Sequence, residues 1–457
     1  MDAATHAPTR TPRSPPIAAS SPFRPALLVV SGNLLEMYDF TVYGYYAGAI
    51  AKAYFPAADT YASTMATFAV FGAGFLMRPL GAVALGAAID RYGRRGGLLL
   101  TLSLMAAGTL AIALTPPYAR IGLAAPLIVL LGRLVQGLSA GVELGGVSVY
   151  LAEIAPAGAR GFLVSWQSAS QQVAVIAAAA IGLGLGERLS AAEMADFGWR
   201  IPFLIGCALI PFLLFARRSL TETPEFLARR ERPSAAAIVA LVGRNGVVVG
   251  LGALMTTLTT VAFYTITAYT PTYGTSVLHL SSRAAFFVTL CVGASNFVLL
   301  PVAGAASDRL GRLPLLLAAA GAALLTSYPA LRWLVEAPSF GRLLAVELWL
   351  SALYALYNGA MVVHLAEVMP PSARTSGFSL AYSLAAGVFG GFTPAVCTWL
   401  IHATGDKAIP GLWLAGAAAA GLAGALGLAR LGGRQSLRSR QVRPSDPRPR
   451  GGKEWRR

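Results

Sequence analysis

Gly86-Ala-Ala-Ile-Asp90-Arg91-Tyr-Gly93-Arg94-Arg95 returns 218 positions later as Gly304-Ala-Ala-Ser-Asp308-Arg309-Leu-Gly311-Arg312. A second pair, Leu151-Ala-Glu153-Ile-Ala-Pro156-Ala-Gly-Ala-Arg160 and Leu365-Ala-Glu367-Val-Met-Pro370-Pro-Ser-Ala-Arg374, is offset by 214. Two unlike motifs repeating in the same order at nearly one spacing mean that about 200 residues were copied as a unit. Each copy of the first motif closes one apolar stretch and opens the next, so each reads as a short charged turn between two membrane-length helices.

Lipid must be the solvent of these stretches. With 56% hydrophobic and 12% charged residues, 457 residues cannot hide their apolar surface inside a water-soluble globule. A bilayer core takes about 20 apolar residues per helix, and twelve such stretches follow one another: 25–50, 63–88, 97–115, 122–151, 161–186, 198–216, 244–272, 284–306, 313–330, 341–365, 375–401 and 410–430. The expected fold is an all-α integral membrane protein of twelve transmembrane helices in two pseudo-symmetric halves. The halves are 25–216 and 244–431, joined by a cytoplasmic loop at 217–243. A disordered cytoplasmic tail (1–24) precedes them and a basic cytoplasmic tail (432–457) follows.

Short cytoplasmic loops retain Lys and Arg. The repeated turns, the central loop with Arg217, Arg218, Arg229, Arg230 and Arg232, and both tails collect most of them, which places both termini in the cytoplasm. Residues 1–24 lack an apolar core behind a basic start, so no cleavable signal peptide is expected. The net charge of +16 follows from this topology, and no zinc-finger, RNA-binding or P-loop pattern accompanies it, which excludes nucleic acid as a partner. Cys207, Cys291 and Cys397 are widely spaced in apolar runs and imply neither a disulfide nor a metal framework. Gly137-Leu-Ser139-Ala-Gly141 imitates a hydrolase nucleophile elbow, but it lies inside a helix rather than between strand and helix. Gly137, Gly141 and Gly145 read instead as a small-residue stripe for close helix packing.

Intramembrane charges are costly, roughly 3 kcal/mol or more each, and tend to face a cavity. In the first stretch Glu36 and Asp39 share a helix face with Asn33, Phe40 and Tyr43. Two carboxylates one turn apart in low dielectric repel. Either one of the pair carries a proton, or one is held in a permanent salt bridge to Arg78 or Arg133. Glu143, about 15 Å beyond Arg133 by helical rise, is a third coupling candidate. A guanidinium grips a carboxylate with two parallel hydrogen bonds, so Arg78 and Arg133 are candidate contacts for an organic anion. Arg133 could equally serve the proton step or packing, and Arg78, next to Pro79, could be structural. Gln167, Gln171, Tyr264, Tyr269, Asn296 and Asn358 complete the candidate cavity. Interhelical hydrogen bonding, about 1 kcal/mol each, is the alternative for every one of them. No intramembrane cluster of hard oxygen ligands calls for a metal.

The doubled Gly-x-x-x-Asp-Arg-x-Gly-Arg turn and Arg133-Leu-Val-Gln136-Gly137 resemble signatures of the major facilitator superfamily. Gly32-Asn33-Leu-Leu-Glu36-Met-Tyr38-Asp39-Phe40, Leu76-Met-Arg78-Pro79-Leu-Gly81 and Glu222-Thr-Pro224-Glu225-Phe226 resemble its metabolite:proton symporter branch. Gly141-Val-Glu143-Leu-Gly-Gly-Val-Ser-Val-Tyr150, Ser165-Trp-Gln167-Ser-Ala-Ser-Gln171-Gln172, Tyr269-Thr-Pro-Thr-Tyr273 and Tyr357-Asn358-Gly359-Ala-Met361 are similar to bacterial citrate and tricarballylate carriers. The resemblance covers about residues 25 to 430. It implies a monomeric symporter of the bacterial inner membrane that does no chemistry on its cargo. The cargo would be citrate or a related tri- or dicarboxylate, the coupling ion a proton, and no cofactor is implied. Tricarballylate, a dicarboxylate, an aromatic acid or a zwitterionic osmolyte are alternative cargoes, and a transport-incompetent sensor is a rival of another class. The resemblance also assigns Asp90, Arg91, Arg94, Arg95, Asp308, Arg309 and Arg312 to a gate, with Glu153, Arg160, Glu367 and Arg374 as partners. It departs from the pattern where Leu313 replaces a second base, which predicts a weaker tie there, and where His364 stands in place of a small or apolar residue.

Overall fold

A computed structural model of the chain describes residues 34, 36–92, 94–141, 143–156, 158–218, 240, 243–370 and 374–441, with side chains described outside 86–95, 98, 142–146, 212–218 and 432–441. The described chain is helical almost throughout. The first half contains α1 (36–45, continuing after a turn at Tyr46 as Ala47–Tyr54), α2 (Thr60–Tyr92), α3 (Arg94–Leu114), α4 (Ala124–Ala140, continuing as Glu143–Ile154), α5 (Arg160–Arg188) and α6 (Arg200–Arg218). The second contains α7 (Gly246–Val277), α8 (Ser282–Leu310), α9 (Arg312–Glu336), α10 (Phe340–Val368), α11 (Arg374–Thr404) and α12 (Pro410–Gln441). Eight of these are long and apolar enough to cross a membrane on length and composition. A ninth span pairs α6 with Ala191–Gly198 across a 40° bend. Shorter apolar segments in α3 and α4, together with α1, complete the twelve.

Lipid-facing and inward-facing helices separate by burial. In α10 the most apolar window is 78% buried and in α9 only 28%, so α10 is central and α9 peripheral. Leu325 of α9 and Leu131 of α4, 74% and 62% exposed, mark apolar outer faces of the bundle. Successive helices run in opposite directions, so one end of the bundle carries the repeated charged motifs. It is called the turn end here, and the opposite end the far end.

Three local features differ from the sequence expectation. Asp308 and Arg309 lie on the last turn of α8, which continues to Leu310, and Gly311 alone separates α8 from α9. The charged motif thus extends the helix, because helical hydrogen bonding satisfies the backbone until water is reached. α7 is interrupted by π-helical turns at Thr265–Tyr269 and Tyr273–Val277, flanking Pro271, and α11 by one at Ala386–Gly390. Apolar periodicity alone reads through such insertions. Two glycines of the predicted stripe bring helices together, and the surroundings of the third, Gly145, lie outside what is described: a Cβ on Gly137 would meet the Gly74 carbonyl oxygen at 1.6 Å, and one on Gly141 the Arg78 carbonyl oxygen at 2.1 Å. Backbone is the obstacle, so Gly137→Val is expected to force α2 and α4 apart at a cost exceeding the usual 1–3 kcal/mol of overpacking. The check is a several-fold loss of the monodisperse peak in detergent chromatography.

Candidate functional site

α1, α2 and α4 converge on a buried electrostatic cluster. The spacing of α1 puts Glu36, Asp39, Phe40 and Tyr43 on one face, and all four are buried. Arg78 Nη2 donates to Glu36 Oε1 at 3.1 Å, and Arg133 Nη1 lies 3.5 Å from Asp39 Oδ2. Both carboxylates are therefore paired, each with a different arginine. Gln136, one turn from Arg133, accepts from Arg133 Nη1 at 2.8 Å and donates through Nε2 to Asp39 Oδ2 and, at 3.0 Å, to Thr109 Oγ1.

Aromatic rings wall the guanidinium groups. Phe40 lies between them, 4.8 Å from Arg78 Cζ and 5.2 Å from Arg133 Cζ. Phe75 covers Arg78 at 4.3 Å and Tyr43 covers Arg133 at 3.7 Å. Face contacts of this kind stabilise a desolvated cation by about 2 kcal/mol. The second half reaches the cluster through Tyr264, whose ring is 5.1 Å from Phe75.

The pairing is incomplete. Arg133 is 0% exposed, and among the described residues its Nε and Nη2 have no acceptor, Arg78 Nε has none, and Asp39 Oδ1 has no donor. Nε and Nη2 form the edge of a guanidinium that a carboxylate engages with two parallel bonds. A buried donor without a partner costs about 1–3 kcal/mol, so this edge favours an anionic guest.

The other candidates are placed as follows. Gln167 and Gln171 are buried on α5, where Ser168 Oγ donates to Gln167 Oε1 at 2.8 Å. Tyr269 lies on the irregular part of α7, its ring 6.1 Å from Phe68 of α2. Asn296 accepts from Ser351 at 2.8 Å, joining α8 to α10 within one half. Asn358 is buried with neither amide atom hydrogen-bonded among the described residues. His364 lies toward the turn end of α10, one turn before its last residue, and does not cap the helix. Asn33 and the side chain of Glu143 lie outside the described residues.

At the turn end, Asp308 of the second half caps α5 of the first. Its Oδ1 accepts from the Gly161 amide at 2.8 Å and its Oδ2 from the Phe162 amide at 3.0 Å. Arg312 binds Asp308 at 2.7 Å, Ser307 at 2.7 Å and Glu367 at 3.3 Å. Leu313 in place of a second base thus leaves Arg312 fully engaged. A Cβ on Gly161 would meet the Gly304 carbonyl oxygen at 2.3 Å, so the helices touch through backbone. Glu153, Arg160 and Arg309 are exposed and Arg374 half-buried, with no ion pair among the described residues. The side chains of Asp90, Arg91, Arg94 and Arg95 lie outside the described residues.

The halves also meet at the far end. Tyr61 of α2 stacks on His402 of α11 at 3.8 Å, and Tyr45 of α1 meets Phe286 of α8 at 5.7 Å. Contacts at both ends enclose the charged cluster.

Sequence reasoning missed three features. Phe71 and Phe75 carry no pattern that separates them from a lipid-facing Phe, and Gln136 stands out only as part of the Arg133-Leu-Val-Gln136-Gly137 segment. Glu347, 3% exposed on α10, is the third, and its signal is that of an acid inside an apolar run.

A bundle of antiparallel membrane helices, in two groups that touch at both ends around buried charges, defines a multi-pass secondary transporter. Sequence comparison gives its kin: the profile described as "Sugar (and other) transporter" matches residues 26–247 and again 244–424, so the chain belongs to that family. It is 55% identical over 410 residues to a protein named citrate-proton symporter of Salmonella typhi, covering 90% of this chain and 94% of that one. The protein of the same name in Klebsiella pneumoniae is 56% identical over 87% and 89% of the two chains. A proline/betaine transporter of Escherichia coli (strain K12) is 31% identical over 86% and 80%. Among solved structures, the D-xylose-proton symporter superposes with a TM-score of 0.71 over 90% of this chain and 97% of that one, at 20% identity. That likeness establishes a shared fold.

Proposed function

We propose that the protein imports citrate, or a closely related tri- or dicarboxylate, by proton symport through alternating access in a bacterial inner membrane, with the turn end and both termini in the cytoplasm. The observation that carries this reading is the open Nε and Nη2 edge of Arg133 beside Asp39. The citrate-proton symporters of 55% and 56% identity support the choice of cargo and coupling ion.

The residues act in sequence. A substrate carboxylate takes the free edge of Arg133, and aromatic walls exclude water while it does so. Asp39 Oδ1 has no donor among the described residues, so the acid can accept a proton there while Oδ2 keeps its contacts to Arg133 and Gln136. Its neutralisation leaves the guanidinium charge to the substrate. Proton and anion therefore favour each other's binding, which is the thermodynamic requirement for symport. Moving each charge through the membrane potential involves about 2.3 kcal/mol per 100 mV, so a trivalent anion needs at least three protons to avoid running against the field.

Asp308, Arg312, Gly161 and Glu367 form the cytoplasmic gate in this reading. Asp308→Ala removes three charge-assisted hydrogen bonds, worth about 1.5–3 kcal/mol each. It is expected to preserve citrate binding and slow exchange by about tenfold or more. Unchanged exchange by a stably folded variant would remove the gate from Asp308.

Cargo is tested by counterflow of labelled citrate in proteoliposomes at equal pH on both sides. Tricarballylate should compete, whereas succinate should compete weakly and benzoate and betaine should not. Counterflow of betaine without citrate would transfer the site to a zwitterionic osmolyte.

A further inference from the structure

Glu347 is a buried carboxyl group that the scheme above leaves unused. It lies seven residues into α10, about 10 Å from the far end by helical rise, and is 3% exposed. The 214-residue offset that carries Glu153 onto Glu367 also carries Arg133 onto Glu347. The second half thus holds a lone acid where the first holds a base.

Its surroundings contain no counter-charge. Among the described residues no Lys, Arg or His reaches ion-pair distance of it. Thr270 of α7 is its hydrogen-bond partner, at 2.9 Å from Oε1, and Oε2 has none. Its titratable neighbour is Tyr273 on α7, which in turn neighbours Cys397 of α11. The other helices packed on α10, namely α4, α5, α8 and α9, add no charged group that interacts with it among the described residues. An ionised carboxylate here would stand in low dielectric without a cation, at a cost of several kcal/mol.

Hydrogen-bond accounting points the same way. Thr270 Oγ1 lies within reach of two oxygens, Glu347 Oε1 at 2.9 Å and the Thr265 carbonyl at 3.2 Å. A threonine hydroxyl has one hydrogen. If Glu347 carries a proton, it donates to Thr270 Oγ1, and Thr270 donates onward to Thr265, so both contacts are full hydrogen bonds. An ionised Glu347 would have to share a single hydrogen with Thr265.

This chain of bonds runs through the π-helical turn Thr265–Tyr269. The same turn crosses to the first half: a Cβ on Gly44 of α1 would lie 3.0 Å from Ala268 Cβ, and Tyr269 meets Phe68 of α2. The segment that covers Glu347 is therefore also one that joins the two halves.

We propose that Glu347 is a proton-binding site that gates the far end: α7 seats across the two halves only when Glu347 holds its proton. The inference deepens the proton-symport reading and rests on it for the direction of proton entry, because the far end is then the outward one. Acid outside would load Glu347 and favour closure behind the substrate.

The test reads closure without any substrate. Tyr45, buried against Phe286 across the interface, is replaced by Cys, and its labelling by a membrane-impermeant maleimide is followed against pH. The variant is compared with the same protein carrying Glu347→Gln, a permanently neutral mimic. The ratio of the two labelling rates cancels the pH dependence of the thiol itself. It is expected to rise with pH, by up to about tenfold per unit, the limit for one linked proton. A ratio independent of pH overturns the proposal, as does a rise that follows sodium concentration and not pH. Should Glu347→Gln fail to fold, Thr270→Val replaces it. Loss of the acceptor should shift closure to more acid pH, and an unshifted profile overturns the proposal. Because citrate is absent from this assay, failure of the citrate reading shows separately, in counterflow.

Discussion

Arg133→Lys is expected to lower citrate kcat/KM by about a hundredfold or more while leaving the protein folded. Lysine keeps the positive charge beside Asp39, so the buried acid retains a partner and the penalty for an orphaned charge, about 3–5 kcal/mol, is avoided. What disappears is the planar fork: an ammonium cannot offer two parallel donors to a carboxylate, nor lie flat between Tyr43 and Phe40. The loss should appear in citrate affinity and transport together, with thermal stability in detergent shifted by only a few degrees. A packing role for Arg133 would show the opposite pattern, with stability falling and the residual folded protein transporting at the normal rate.

Asp39→Asn should separate exchange from accumulation. Asparagine imitates the protonated acid in size and neutrality, so the substrate still finds a free guanidinium and counterflow persists. With no proton to bind and release at this position, an imposed inward proton gradient does work through one site fewer. Steady-state accumulation should fall by about tenfold for each unit of pH gradient imposed, because each coupled proton contributes about 1.4 kcal/mol per unit. The sign follows from linkage: acid outside promotes loading of the wild type, and citrate binding by the variant should lose that dependence. A variant that still accumulates citrate as the wild type does would move the coupling site to Glu36 or elsewhere.

Much of this was legible in the residues. The repeated motifs and the apolar stretches lead directly to a twelve-helix arrangement, and the glycine spacing in α4 marks a face of close helix packing, though not the helix that meets it. The depth and helix face of Glu36, Asp39, Arg78 and Arg133 also follow from position alone. Their pairing does not. Glu36 and Asp39 are one turn apart on the same face, and which acid meets which arginine depends on the relative heights of α1, α2 and α4. Sequence periodicity does not encode those heights. The breaks in α7 and α11 were hidden for another reason, since a π-helical insertion changes register by one residue without altering composition. Thr270 meets Glu347 through such a break, and nothing in the sequence pairs the two. At the turn end, the assignment of Asp308, Arg312 and Glu367 to one gate came from resemblance. That Asp308 caps α5 through the amides of Gly161 and Phe162 depends on contact between halves, beyond the reach of local pattern.

The most direct test of the account is accumulation of labelled citrate by the purified protein in proteoliposomes under an inward proton gradient, with and without a protonophore. The account predicts uptake well above equilibrium that collapses when the gradient is dissipated and is matched by proton entry. Citrate that merely equilibrates, at a rate and to a level indifferent to the proton gradient, would contradict it.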